Sequence, residues 1–192
     1  MSGSVAGRLA GLLLAAVLVV YPLLMFFMLD EFGVRPLAVL LAALLLTRVL
    51  PIVQSSRKNA IALALLIVVF AAVLYLSRSE KLLMAYPAVI SLIMLGAFAV
   101  TLFHPPSIIE RFSRKMGVSV PPQAIPYMRV LTMFWCGFFL LNACVAALLA
   151  WQGDVTRWAL YNGLVSYLII GLLIVAELVF RQYYRRRHGI GG

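Results

Sequence analysis

The sequence predicts an all-α polytopic membrane protein: six transmembrane helices, a short amphipathic helix at the membrane surface, and both termini in the cytoplasm. Three observations predict it. Of 192 residues, 65% are hydrophobic and only 11% charged, with a mean hydropathy of +1.07. A water-soluble domain of that composition would expose far too much apolar surface, whereas a bundle in lipid has no need to hide it. The apolar residues are gathered into six runs long enough to cross about 30 Å of hydrocarbon. The lysines and arginines fall mainly into alternate connections between those runs.

The spans are expected at 9–29, 36–53, 60–76, 82–103, 130–151 and 158–180. The third is the shortest and reaches full length only if flanking residues snorkel or the bilayer thins. A strand reading fails, because the runs are far longer than strands and do not alternate. Four of the five connections are short, which favours antiparallel neighbours in sequence order. The first run is longer than a signal-peptide core and lacks a small-x-small cleavage site. Tyr21-Pro22 invites a kink within it, since Pro22 removes one backbone bond. Gly7, Gly11 and Ala15, and later Ala143 and Ala147, form small-residue ridges suited to close helix approach. No persuasive internal repeat is present.

Charge sets orientation. Twelve lysines and arginines fall on one side, in Arg8, the 48–58 connection, the 111–129 connection and the tail, against four on the other (Arg35, Arg78, Lys81 and Arg157). The positive-inside rule therefore places both termini in the cytoplasm. The same reading turns the net charge of +10 into topology and contact with anionic lipid head groups, and argues against nucleic acid.

The one long connection has its own organisation. Pro105 and Pro106 end the fourth span. Ser107 with Glu110 forms a capping-box pattern, Ile108, Ile109, Phe112 and Met116 share one face, and Glu110, Arg111, Arg114 and Lys115 oppose them. Gly117 is a suitable stop. A helix over 107–116 lying on the cytoplasmic surface is expected; a plain crossing loop is the alternative. Pro121, Pro122 and Pro126 read as a stiff, extended approach to the fifth span. Trp151, Trp158, Tyr75 and Tyr86 read as the outer aromatic belt, and Tyr183 and Tyr184 as the inner one.

Glu177 is the only carboxylate inside a long apolar run, where a charge is costly unless paired, protonated or employed. Arg48 falls at a matching depth in an antiparallel span, so a structural Arg48–Glu177 ion pair is one reading. A cytoplasm-facing polar cavity that binds substrate or a proton is another, and snorkelling of both groups is a third. Asn162, Ser166 and Glu177 project within about 60° of one another on the sixth span. Trp135 and Asn142 share a face of the fifth with Thr132 and Phe139. Together these could line a polar seam, with interhelical hydrogen bonding the alternative for Asn142. Arg111, Arg114, Lys115, Arg185, Arg186 and Arg187 form a basic surface for anionic lipid, or for an acidic acyl carrier protein. Cys136 and Cys144 are too far apart along one helix for a mutual disulfide. His104 and His188 have no ligand-spaced partner, so no metal and no cofactor is expected. P-loop, H-E-x-x-H and nucleophile-elbow signatures do not occur.

Tyr21-Pro22, PPSIIERF after the fourth span, WCGFFLLN in the fifth and ALYNGLVSYLIIGLLIVAE in the sixth together resemble an uncharacterised family of bacterial inner-membrane proteins. Its genes sit in aryl polyene (xanthomonadin-like) clusters beside acyl carrier proteins, ketosynthases, acyltransferases and exporters. A fainter resemblance is to the intracellular septation protein A family, through the P-x-x-I-x-R segment and the aromatic stretch of the fifth span. The resemblance implies the inner membrane of a Gram-negative bacterium and a cell-envelope role near acyl or polyene lipid assembly. It supplies no reaction to carry over. The leading expectation is a non-enzymatic accessory or scaffold. The alternatives are a small transporter or flippase and, less favoured for want of a nucleophile and base, a membrane-embedded acyl-handling enzyme.

Overall fold

A computed structural model describes residues 21–29, 31–47, 57–117 and 120–187. Every regular element among them is helical: α1 (21–29), α2 (Val34–Thr47), α3 (Arg57–Ser77), α4 (Glu80–Met84), α5 (Tyr86–Phe103), α6 (Ile108–Lys115), a 3₁₀ turn (Pro122–Ala124), α7 (Ile125–Gln152), α8 (Val155–Leu160), a π turn (Tyr161–Val165) and α9 (Ser166–Arg187). Three stretches, Glu80–Phe103, Pro122–Gln152 and Val155–Tyr184, are long and apolar enough to cross a membrane. They coincide with the fourth, fifth and sixth expected spans. In the last, only 6% of the most apolar window is buried within the chain, and Leu168, Leu172 and Val179 stand exposed. Such a surface is compatible with a membrane protein. Val34–Thr47 and Leu63–Ser77 are shorter apolar helices, falling where the second and third spans were expected. Most of the first span, the end of the second, the Gly7–Ala15 ridge and Arg48 lie outside the described residues.

The chain divides into two compact units. The first holds the segments up to Met84 with Ala150–Leu164. Tyr21, Met25 and Leu29 bury one face of α1 at the four-residue spacing of a helix. Gly33 closes that helix at φ +71°, its N–H donating to the Leu29 carbonyl at 2.9 Å. On α2 the buried residues Val34, Leu37, Ala38, Leu41 and Leu44 again follow helical spacing. The fully buried Tyr21 donates its hydroxyl to the Leu37 carbonyl at 2.8 Å. Ile67 of α3 packs among Ala42, Leu45 and Leu46 of α2. Trp158 of α8 is completely enclosed and donates its indole N–H to the Met84 carbonyl at 2.7 Å. Gly163 in the π turn lies so close to α1 that a Cβ there would sit 3.0 Å from Leu23 Cγ.

The second unit holds Ala85–Leu149 and the chain from Val165 onward. Here α5, α6, most of α7 and α9 supply the structure. Phe98 and Phe139 meet edge to face, centroids 5.1 Å apart, joining α5 to α7. Within this unit's part of α7, Ala143 and Ala146 are buried, and Ala147, expected in the ridge with Ala143, is exposed.

Several expectations are corrected. Trp158 and Tyr86, expected in the outer belt, are buried, while Trp151 is 76% exposed. Of the prolines before the fifth span, Pro121 alone keeps the extended conformation expected. Pro122 opens a 3₁₀ turn and Pro126 sits in the first turn of α7, where a missing N–H breaks no helical bond. The capping box does not form either: the Ser107 side chain makes no cap bond, and Thr101 Oγ1 accepts from the Ile108 N–H at 2.9 Å in its place. Glu110, expected on the polar face, is turned inward and buried, while Phe112 and Met116 are exposed.

Candidate functional site

The site is built where α7 and α9 meet. Tyr127 lies on the first turn of α7 because the 3₁₀ turn and Pro126 start that helix earlier than hydropathy alone suggests. Its hydroxyl donates to Glu177 Oε1 at 3.1 Å. The Tyr127 ring stacks on Phe180, centroids 6.0 Å apart, and on Tyr184, at 4.9 Å. Tyr184 in turn donates its hydroxyl to the Gln123 carbonyl at 3.2 Å. Three aromatic rings and two hydrogen bonds thus pin the start of α7 to the end of α9. A hydrogen bond to an ionised acceptor contributes about 1.5–3 kcal/mol, and it offsets part of the cost of a carboxylate in an apolar span.

Beside this pair lies an apolar groove of about 260 Å³. Val130, Leu131, Phe134, Leu173 and Ala176 line it, and Tyr127, Glu177 and Phe180 close one end. It falls just below the roughly 300–1,000 Å³ typical of sites for drug-sized ligands. Its walls are mostly hydrocarbon, and its polar groups are the Tyr127 hydroxyl and the Glu177 carboxylate, so it suits a slender apolar chain with a hydrogen-bonding end.

The other expected residues are distributed differently. Asn142 donates to Ser91 Oγ at 2.9 Å, and Ser91 donates to the Pro87 carbonyl, also at 2.9 Å; this chain of bonds joins α7 to α5. Asn142 stands fifteen positions from Tyr127 along α7, roughly 22 Å at 1.5 Å per residue, so Asn142 and the Tyr127–Glu177 pair lie at distant levels of that helix. Asn162 is buried and donates to the Trp158 carbonyl at 2.9 Å, and Ser166 is buried. Trp135 packs on Phe138 and Phe139, its neighbours along α7. Arg48 lies outside the described residues. Arg111 caps the end of the preceding segment, donating to the Pro106 and His104 carbonyls at 2.7 and 2.6 Å. Arg114 pairs with Glu110 at 2.7 Å, and Lys115 is exposed. The helix of α9 continues through Arg185, Arg186 and Arg187, whose side chains lie outside what is described.

Tyr127 is the candidate-site residue the sequence reading missed. Depth did not signal it: Tyr127 stands three residues outside the expected start of the fifth span at 130, and Glu177 three residues inside the expected end of the sixth at 180. Among the described residues no cluster of three or more His, Cys, Asp or Glu could hold a metal. No family model, curated protein or solved structure matches the chain.

Proposed function

We propose that this is a six-span, N-in/C-in protein of the bacterial inner membrane, with no catalytic chemistry of its own. In this reading it is an accessory that holds one apolar chain of an amphiphile in the α7–α9 groove. The observation that carries the reading is the Glu177–Tyr127 pair at the end of an otherwise hydrocarbon groove. The chain lies among lipid-like side chains, and its polar end meets the hydrogen-bonded Tyr127–Glu177 pair. The resemblance to proteins of aryl polyene clusters fits an acyl or polyene chain as the occupant. The exposed Phe112 and Met116 with Lys115 suit α6 to rest on the cytoplasmic leaflet, with an acidic acyl carrier protein as a further partner for that basic surface.

A fatty acid carrying a diazirine in its chain, reacted with the reconstituted protein, tests this. Cross-links on Val130, Phe134 or Leu173 are expected, and Leu131→Trp, which fills the groove, should reduce them several-fold. Labelling spread evenly over lipid-facing residues, or unchanged in Leu131→Trp, would overturn the reading. Transport through the Asn142, Asn162 and Glu177 seam is the alternative reading.

A further inference from the structure

Away from the groove, on the other side of α7, a second and smaller cavity sits against the first turn of α6. It has a volume of about 60 Å³ and is lined by Thr101, Ser107, Glu110, Arg129 and apolar neighbours. In the same measure one water needs roughly 10–15 Å³, so the space takes a small polar group. Its lining is not that of an ordinary packing defect. Ser107 is 95% buried, from a fractional exposure of 5%, and its Oγ finds no hydrogen-bond partner among the described residues. Leaving such a hydroxyl unpaired in the interior is unfavourable and calls for an explanation. Arg114 engages Glu110 through Oε1 alone, which leaves the second carboxylate oxygen for another donor. Arg129 is exposed and has no acidic partner within 4.0 Å among the described residues.

We infer that this cavity receives a phosphoglycerol group. The inference depends on the membrane reading above but not on the α7–α9 groove. The donor and acceptor order follows burial. Arg129, the exposed cation, takes the phosphate, aided by the amide-rich N-terminus of α6. The buried carboxylate of Glu110 rejects the phosphate itself but accepts a head-group hydroxyl, and Ser107 gains its missing partner from the same glycerol. A bare phosphate leaves Glu110 facing like charge. An ammonium head group would set a cation at a helix N-terminus, which the helix dipole disfavours.

The test uses the full chain in nanodiscs of mixed phosphatidylethanolamine, phosphatidylglycerol and phosphatidic acid, with retained lipid read by native mass spectrometry. Phosphatidylglycerol should be retained over phosphatidic acid by roughly tenfold, the scale of one hydrogen bond to a charged group. Ser107→Ala and Glu110→Gln should bring that ratio close to one, and Ser107→Thr should keep it. Arg129→Gln should lower retention of both anionic lipids. Competition with deacylated glycerophosphoglycerol separates the sources: displacement at low concentration assigns the site to the free ester, and resistance assigns it to the lipid. No preference in the wild type overturns the inference, as does a Ser107→Ala protein that is more heat-stable yet equally selective. A chain that stays monodisperse in water without lipid would instead overturn the membrane reading itself.

Discussion

The Tyr127 hydroxyl reaches Glu177 across 3.1 Å from fifty positions away in the sequence. That bond gives the lone carboxylate of the last helix a neutral partner, and the stacking of Tyr127 on Phe180 and Tyr184 fixes where it is made. Tyr127→Phe should keep the stacking and lose the bond, lowering stability by about 1.5–3 kcal/mol. Tyr127→Ala should cost more, since the ring contacts go too. Thermal unfolding in a mild detergent, followed by circular dichroism, checks the order; equal transitions for Tyr127→Phe and wild type would contradict it.

Trp158 offers a cleaner measure of one interior bond. Trp158→Phe retains an aromatic ring but removes the indole donor, leaving the buried Met84 carbonyl unpaired. A loss of about 1–3 kcal/mol is expected. Trp151→Phe, at an exposed site, should change the same melting curve little.

The close approach of Gly163 to α1 predicts a size-dependent penalty. Gly163→Val places methyl groups against Leu23 and should cost about 1–3 kcal/mol from overpacking. Leu23→Ala in the same chain should recover most of it. Additive losses in the double variant would show that the two residues do not press on one another.

Asn142 and Ser91 should be energetically coupled. A double-mutant cycle of Asn142→Leu and Ser91→Ala should return about 0.6–2 kcal/mol, the range for interhelical hydrogen bonds in membranes. A coupling near zero would mean that the bond contributes nothing net to the joining of α5 and α7.

The sequence made the long helices legible because hydropathy integrates over some twenty residues and needs no knowledge of neighbours. Three stretches of the required length and apolarity stand where the fourth, fifth and sixth runs lie. Side-chain facing was harder to read. Trp158 and Trp151 sit at opposite ends of one short connection and look alike in composition, yet one is enclosed and the other 76% exposed, a difference set by which helix lies beside each. Glu110 was misplaced for a similar reason. Charge alone sends it toward water, but Arg114 one turn on neutralises it and lets it face inward. Ser107 carried the right residue type for a cap, and Thr101, on another helix, took the role. Tyr127 was hidden by the prolines around it, which suggest a linker until one sees that they start a helix.

Thr101 links two elements through a single oxygen, accepting from the Ile108 N–H while donating to the Phe98 carbonyl at 2.7 Å. The helix α6 therefore cannot tilt away without releasing a bond rooted in α5. Anything that bears on α6 from outside is felt first as a mechanical load on that hydroxyl.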